Sequence, residues 1–162
     1  MCSLTEEKNE SNREKDGLWR RVEQKRLGRL TEKERKLIET IQTLDSRYPN
    51  LLVIVEGKRD VSVLRNLGLK APIVKTQTRL SRHRLIEKIQ AEAGTKGQVL
   101  VLTDFDKKGK EIYKFIEREL ELSGIKNLKR ERRMIRKYME HWTTIEQLVS
   151  LFKRSDSPEA RR

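Results

Sequence analysis

The chain has 162 residues, 35% of them hydrophobic and 39% charged, and its 38 Lys/Arg against 25 Asp/Glu leave a net charge of +13. That length suits one domain with an appendage, and the sparse apolar content confines the core to the stretch where apolar runs concentrate, about residues 51–152. The longest run, Leu51–Val55, falls far short of the roughly 18–20 residues of a membrane span, and the single cysteine, Cys2, excludes an intramolecular disulfide or a cysteine zinc site.

In chain order, residues 1–12 show no apolar periodicity and are expected to be a disordered tail. Their polar, mixed-charge character predicts no secretory signal, so the expected setting is the cytoplasm. Leu18, Trp19, Val22 and Leu27 suit a helix stopped by Gly28. Thr31-Glu-Lys-Glu34 is a capping box opening a second helix, with Leu37, Ile38, Ile41 and Leu44 on one face. Pro49 closes this N-terminal helical arm, residues 13–49.

From residue 50 to 154 the pattern alternates strand and helix. Leu51–Val55 is a buried strand, Arg59–Leu67 a helix closed by Gly68, and Pro72–Lys75 a brief second strand. A polar, basic loop over Thr76–Leu80 leads to a helix from Ser81 to Ala91. Gln98–Thr103 is the third strand, and Gly109–Leu122 an amphipathic helix with Gly124 past its end. Ile125–Leu128 is a candidate edge strand and Lys129–Met139 a helix; Thr143-Thr-Ile-Glu146 reads as a capping box opening a last helix through Phe152. Residues 155–162 are expected to be a second disordered tail. The expected fold is α/β and Rossmann-like, a mostly parallel sheet of about four strands with helices on both faces.

Two of the apolar runs end in carboxylates and then a glycine: Leu51-Leu-Val-Ile-Val-Glu-Gly and Val99-Leu-Val-Leu-Thr-Asp-Phe-Asp-Lys-Lys-Gly109. In an open α/β sheet function collects at the carboxyl ends of the strands, where Glu56 and Asp104 fall. Like charges crowded there call for a hard cation bound through oxygen. Asp104 and Asp106 are the candidate magnesium pair (manganese as a substitute), with Glu56 a third ligand or a general acid/base. Gly57 permits a sharp strand-to-helix turn, and Gly109 is expected to let a phosphate approach the amides at a helix start. A single acid after a strand is an ordinary cap or turn residue; the two motifs together, about 50 residues apart, are not.

Val55-Glu-Gly-Lys58 and Thr103-Asp-Phe-Asp-Lys-Lys-Gly109 resemble the two signature motifs of the Toprim domain. That domain is shared by topoisomerases, bacterial-type primases, overcoming-lysogenization-defect nucleases and the ribonuclease that matures 5S ribosomal RNA. The resemblance covers residues 50–130 and is nearest to small stand-alone archaeal Toprim proteins. It implies a Toprim-like sheet, Glu56 in acid/base duty and Asp104 with Asp106 on magnesium. Lys110 stands where type IA topoisomerases often have an acid, and no tyrosine-bearing or zinc module accompanies the motifs, so strand passage is not expected and priming is disfavoured.

The basic excess is uneven: +2 over residues 1–50, +7 over 51–110 and +4 over 111–162. It points first to a polyanionic partner, nucleic acid above all, with the charged surface of a hyperthermophile protein as a compatible alternative. Lys58, Arg79, Arg82 and Lys107, with Gly57 and Gly109, are the candidate phosphate or nucleic-acid contacts; for any one cation a solvated face is the alternative. His83 is read as a surface or phosphate-contacting side chain rather than a metal ligand. In Lys126–Lys137, Leu128, Ile135 and Met139 are expected to face the core and the basic residues to project outward. Few aromatics disfavour a single-strand stacking platform, leaving structured RNA as the favoured partner and DNA as the other. The expected activity is magnesium-dependent phosphodiester cleavage, ribosomal RNA processing being one form of it. The alternatives are a non-catalytic nucleic-acid-binding module and a primase-related accessory protein.

Overall fold

The computed structural model of the protein describes residues 30–151. The expected helix before Gly28 and both expected tails lie outside them. The elements are α1 (Glu32–Arg47), β1 (Leu51–Val55), α2 (Lys58–Asn66), β2 (Ile73–Lys75), α3 (Arg82–Ala93), β3 (Gln98–Val101), α4 (Lys107–Leu122), β4 (Lys126–Asn127) and α5 (Lys129–Met139), then a 3₁₀ turn, Glu146–Val149.

The four strands form one all-parallel sheet in the order β2-β1-β3-β4. Val53 pairs with Ile73 on one side of β1 and Leu52 with Val99 on the other. The chain steps one way from β1 to β2 and the other way to β3 and β4, so the topological switch falls between β1 and β3.

Period-two alternation splits β1 between two cores. Leu51, Val53 and Val55 face a cluster built with α1, α2 and α5, whereas Leu52 and Ile54 face one built with α3 and α4. Both faces of the sheet are therefore covered. The described part of the N-terminal arm is not set apart from this core: Leu37, Ile41 and Leu44 are fully buried in the first cluster. The Thr31 capping box forms as expected, with Glu34 N–H donating to Thr31 Oγ1 and Thr31 N–H to Glu34 Oε2.

Two local expectations shift. Helix α4 begins at Lys107, not Gly109, because the Asp106 carboxylate accepts the Gly109 N–H at 2.8 Å and caps the helix two residues earlier. The expected Thr143/Glu146 box moves along one residue. Gln147 Oε1 accepts the N–H groups of Thr143 and Thr144, while Glu146 is drawn to Arg59 at 2.8 Å.

Candidate active site at the carboxyl edge of β1 and β3

Glu56 and Asp104 meet at the switch point. Leu102 N–H donates to Ile54 O at 2.7 Å, which carries the β1–β3 pairing past the last ladder residue. Two residues on, Asp104 N–H donates to Glu56 Oε2 at 2.9 Å. Asp104 Oδ1 in turn accepts the Ile145 N–H at 3.0 Å, and Phe105 N–H donates to Thr143 O. The segment after α5 thus closes over the turn and brings Glu146 to the site.

A cavity of about 390 Å³ opens here, and Glu56, Asp60, Asp104 and Glu146 all line it, with Lys58, Arg59 and Gln77. Glu56 is only 5% exposed and Asp60 6%. Burial is the first cause that pushes the Glu56 carboxyl up to about 7, reinforced by its side-chain hydrogen bond to Asp104 and by the charges of Asp104 and Asp106; the Asp104 N–H pulls the other way. Burial also raises Asp60, against the pull of the Gly57 N–H that its Oδ2 accepts at 2.9 Å. Glu56 thus tends to keep its proton up to near neutral pH.

Among the described residues, no three His, Cys, Asp or Glu side chains are grouped to hold a metal together. The Asp-Phe-Asp turn explains why: Phe105 goes into the core and Asp106 becomes an exposed helix cap, near enough to act on Glu56 by its charge. Two crowded carboxylates opening on a cavity still suit magnesium, which commonly takes one or two protein carboxylates and completes its shell with water and substrate oxygens. Glu56 and Asp104, which line the cavity, are the residues that would hold such an ion, with Asp106 two residues along the chain as the helix cap.

The two glycines have other reasons than those expected. A Cβ on Gly109 would lie 2.0 Å from Asp104 O, so the glycine lets α4 pack against the acid turn; its amide is already taken by Asp106 and is not open to a phosphate. Gly57 has extended backbone (φ −136°), and a Cβ there would meet Gln77 Oε1 at 2.8 Å. Lys58 is exposed and lines the acid cavity. Lys107 and Arg79 are exposed, at the start of α4 and in the loop after β2. Arg82 lies 5.1 Å over the Phe115 ring beside a separate cavity of about 470 Å³. His83 pairs with Glu87 at 3.0 Å.

Four residues join the site that sequence reasoning did not single out: Asp60, Gln77, Glu146 and Arg132. Asp60 had a signal, lying four residues after Glu56 at the third position of a helix. Arg132 had one too: Leu128, Arg132, Ile135 and Met139 are spaced along one helical stripe. Rather than projecting outward, Arg132 is 6% exposed. Its Nη1 donates to Val101 O and Thr103 O, both at 2.9 Å, and its guanidinium lies 4.3 Å from the Phe105 ring and 4.1 Å from Tyr113. It braces the strand end that carries Asp104. Burial brings it down to about 10, partly opposed by Tyr113, Glu117, Asp104 and Glu56.

No family model matches the chain. It is 40% identical over 105 residues to a UPF0292 protein of Pyrococcus horikoshii, covering 63% of this chain and 74% of that one. A UPF0292 protein of Thermococcus sibiricus is 37% identical over 113 residues, 67% of this chain and 82% of the relative. With one of Thermococcus onnurineus identity reaches 49%, over 69 residues, 43% of this chain and about half (48%) of the relative's length. Among solved structures, a putative protein from Aquifex aeolicus superimposes with a TM-score of 0.56 at 20% identity, over 67% of this chain and 94% of that one, a likeness of fold alone.

Proposed function

The chain belongs to the UPF0292 family, and from the geometry of its strand-end acids we propose that it is a Toprim-like, magnesium-dependent enzyme that cleaves phosphodiesters in nucleic acid, structured RNA first. The observation that carries this reading is the Glu56–Asp104 pair: two acids at the topological switch point, joined by the Asp104 N–H that donates to Glu56 Oε2, in an open cavity of a chain of net charge +13. The motif resemblance at 55–58 and 103–109 supports it.

Magnesium bound by Asp104 with Glu56 and Asp106 would supply positive charge for the phosphate oxygens. Asp104 is held ready by the Ile145 N–H and by the braced end of β3, so its carboxylate does not have to be ordered when substrate arrives. Glu56 moves the proton, accepting it from the attacking water or giving it to the departing oxygen. Lys58, beside the cavity, and Arg79, Arg82 and Lys107 near the same edge attract the polyanion without reading its sequence.

The test incubates wild type, Glu56→Gln and the Asp104→Asn/Asp106→Asn double variant with structured RNA, single-stranded DNA and duplex DNA, with and without Mg²⁺. Cleavage of structured RNA by wild type only, and only with Mg²⁺ or Mn²⁺, is expected, with a loss in Glu56→Gln of about 10²-fold or more. Metal-dependent cleavage of none of the three would sink the enzyme and favour a nucleic-acid-binding module. Unchanged Mg²⁺ affinity in the double variant would sink the metal assignment.

A further inference from the structure

Phe105, next to Asp104 in the chain, lines a second cavity, of about 420 Å³, between α4 and α5. Five cations share its wall: Lys110 from α4, and Lys129, Arg132, Arg133 and Arg136 from α5. Lys129 is neutralised by Glu117 and Glu121, at 3.3 and 2.8 Å. Among the described residues the other four enter no ion pair. Arg136 Nη1 donates to the carbonyls of Glu140 and Trp142, and Arg132 Nη1 to those of Val101 and Thr103. Lys110 and Arg133 are exposed.

A guanidinium taken out of water without a carboxylate partner is costly, and three more cations on the same cavity add repulsion that an anion would relieve. Arg132 uses one nitrogen for both carbonyls, while its planar fork carries five N–H donors. The cavity also falls in the range of small-ligand pockets, roughly 300–1,000 Å³.

From this geometry we propose that the cavity is a phosphomonoester site, and that it takes the terminal phosphate of a nucleic-acid strand. Charge selects the class. A phosphomonoester carries about −1.5 to −2 at neutral pH, which answers several uncompensated cations better than the single charge of a backbone diester. Three accepting oxygens also match the arginine forks. Assignment to a strand end rests on the nucleic-acid reading above; the monoester chemistry stands on the cavity alone.

The experiment compares a structured RNA bearing a 5′-phosphate with the same RNA bearing a 5′-hydroxyl, by equilibrium binding in EDTA, where neither metal nor turnover enters. Wild type is expected to bind the phosphorylated RNA about tenfold more tightly, the scale of charge-assisted hydrogen bonds. Lys110→Ala/Arg133→Ala, two exposed changes that leave the core intact, should erase that preference and affect the hydroxyl RNA far less. Equal affinity for the two RNAs, or a preference that survives the double variant, would overturn the site. Competition by a nucleoside 5′-monophosphate at equal affinity would overturn the strand end as its source and leave a free nucleotide as the ligand. Failure to see cleavage under Mg²⁺ would count against the proposed enzyme and leave this result standing.

Discussion

Asp104 and Phe105 are neighbours in the chain, yet they line cavities of opposite character. Around Asp104 gather Glu56, Asp60 and Glu146; around Phe105 gather Lys110, Arg132, Arg133 and Arg136. Burial acts on both in the same sense, against charge. It pushes Glu56 up to about 7 and brings Arg132 down to about 10. The two sides differ in how the buried charge is handled. The acids accept backbone N–H groups, Glu56 that of Asp104 and Asp104 that of Ile145, whereas Arg132 is held by carbonyls and aromatic faces and, among the described residues, enters no ion pair. The two cavities meet at the Asp-Phe-Asp turn, where Phe105 goes into the core, and Asp104 and Glu56 act on Arg132 by their charge without pairing with it.

The harshest way to break this arrangement is Gly109→Ala. Its methyl group would strike Asp104 O, so a loss of about 3 kcal/mol or more is expected, with the acid turn displaced; denaturant unfolding and Mg²⁺ affinity would both register it. Arg132→Met removes the brace between the two cavities. It relieves a buried charge but strands the Val101 and Thr103 carbonyls, for a net loss of about 2 kcal/mol by denaturant unfolding. A variant as stable as wild type would show that the brace is dispensable.

Glu56→Gln sharpens the acid side. A carboxyl raised in the folded state makes that state hold more protons than the unfolded chain between about pH 4.5 and 7, so its contribution to stability is lost as pH rises through that window. The variant should flatten the fall and be more stable than wild type at pH 8, by about 1 kcal/mol once solvent screening is allowed for. A stability profile from pH 4 to 8 that the substitution leaves unchanged would remove the strain assigned to this acid. The smallest effect is expected at the rim. Arg59 and Glu146 pair at 2.8 Å but are 82% and 50% exposed, so Arg59→Ala should leave the melting temperature within about 1 °C.

Much of this was legible beforehand. The apolar run Leu51–Val55 and the alternation of strands with helices predicted an α/β fold with a parallel sheet, because periodicity reports which faces must leave water. Glu56 and Asp104 were legible as strand-end acids. Asp106 was legible as an acid but not as a cap, since one side-chain oxygen serves either role and local sequence does not choose. Glu146 was legible only as a cap: it reaches the site through the fold-back after α5, 90 residues from Glu56 along the chain.

The sequence by itself determined the alternation of elements, the excess of positive charge and the acids that end two buried strands, for these follow from local pattern and composition. Tertiary structure alone decided that Glu56 and Asp104 touch, that Gly109 makes room for a backbone rather than a ligand, and that one arginine of a basic run is buried. Each of those depends on which strand lies beside which, and strand order is set by packing between residues distant in the chain.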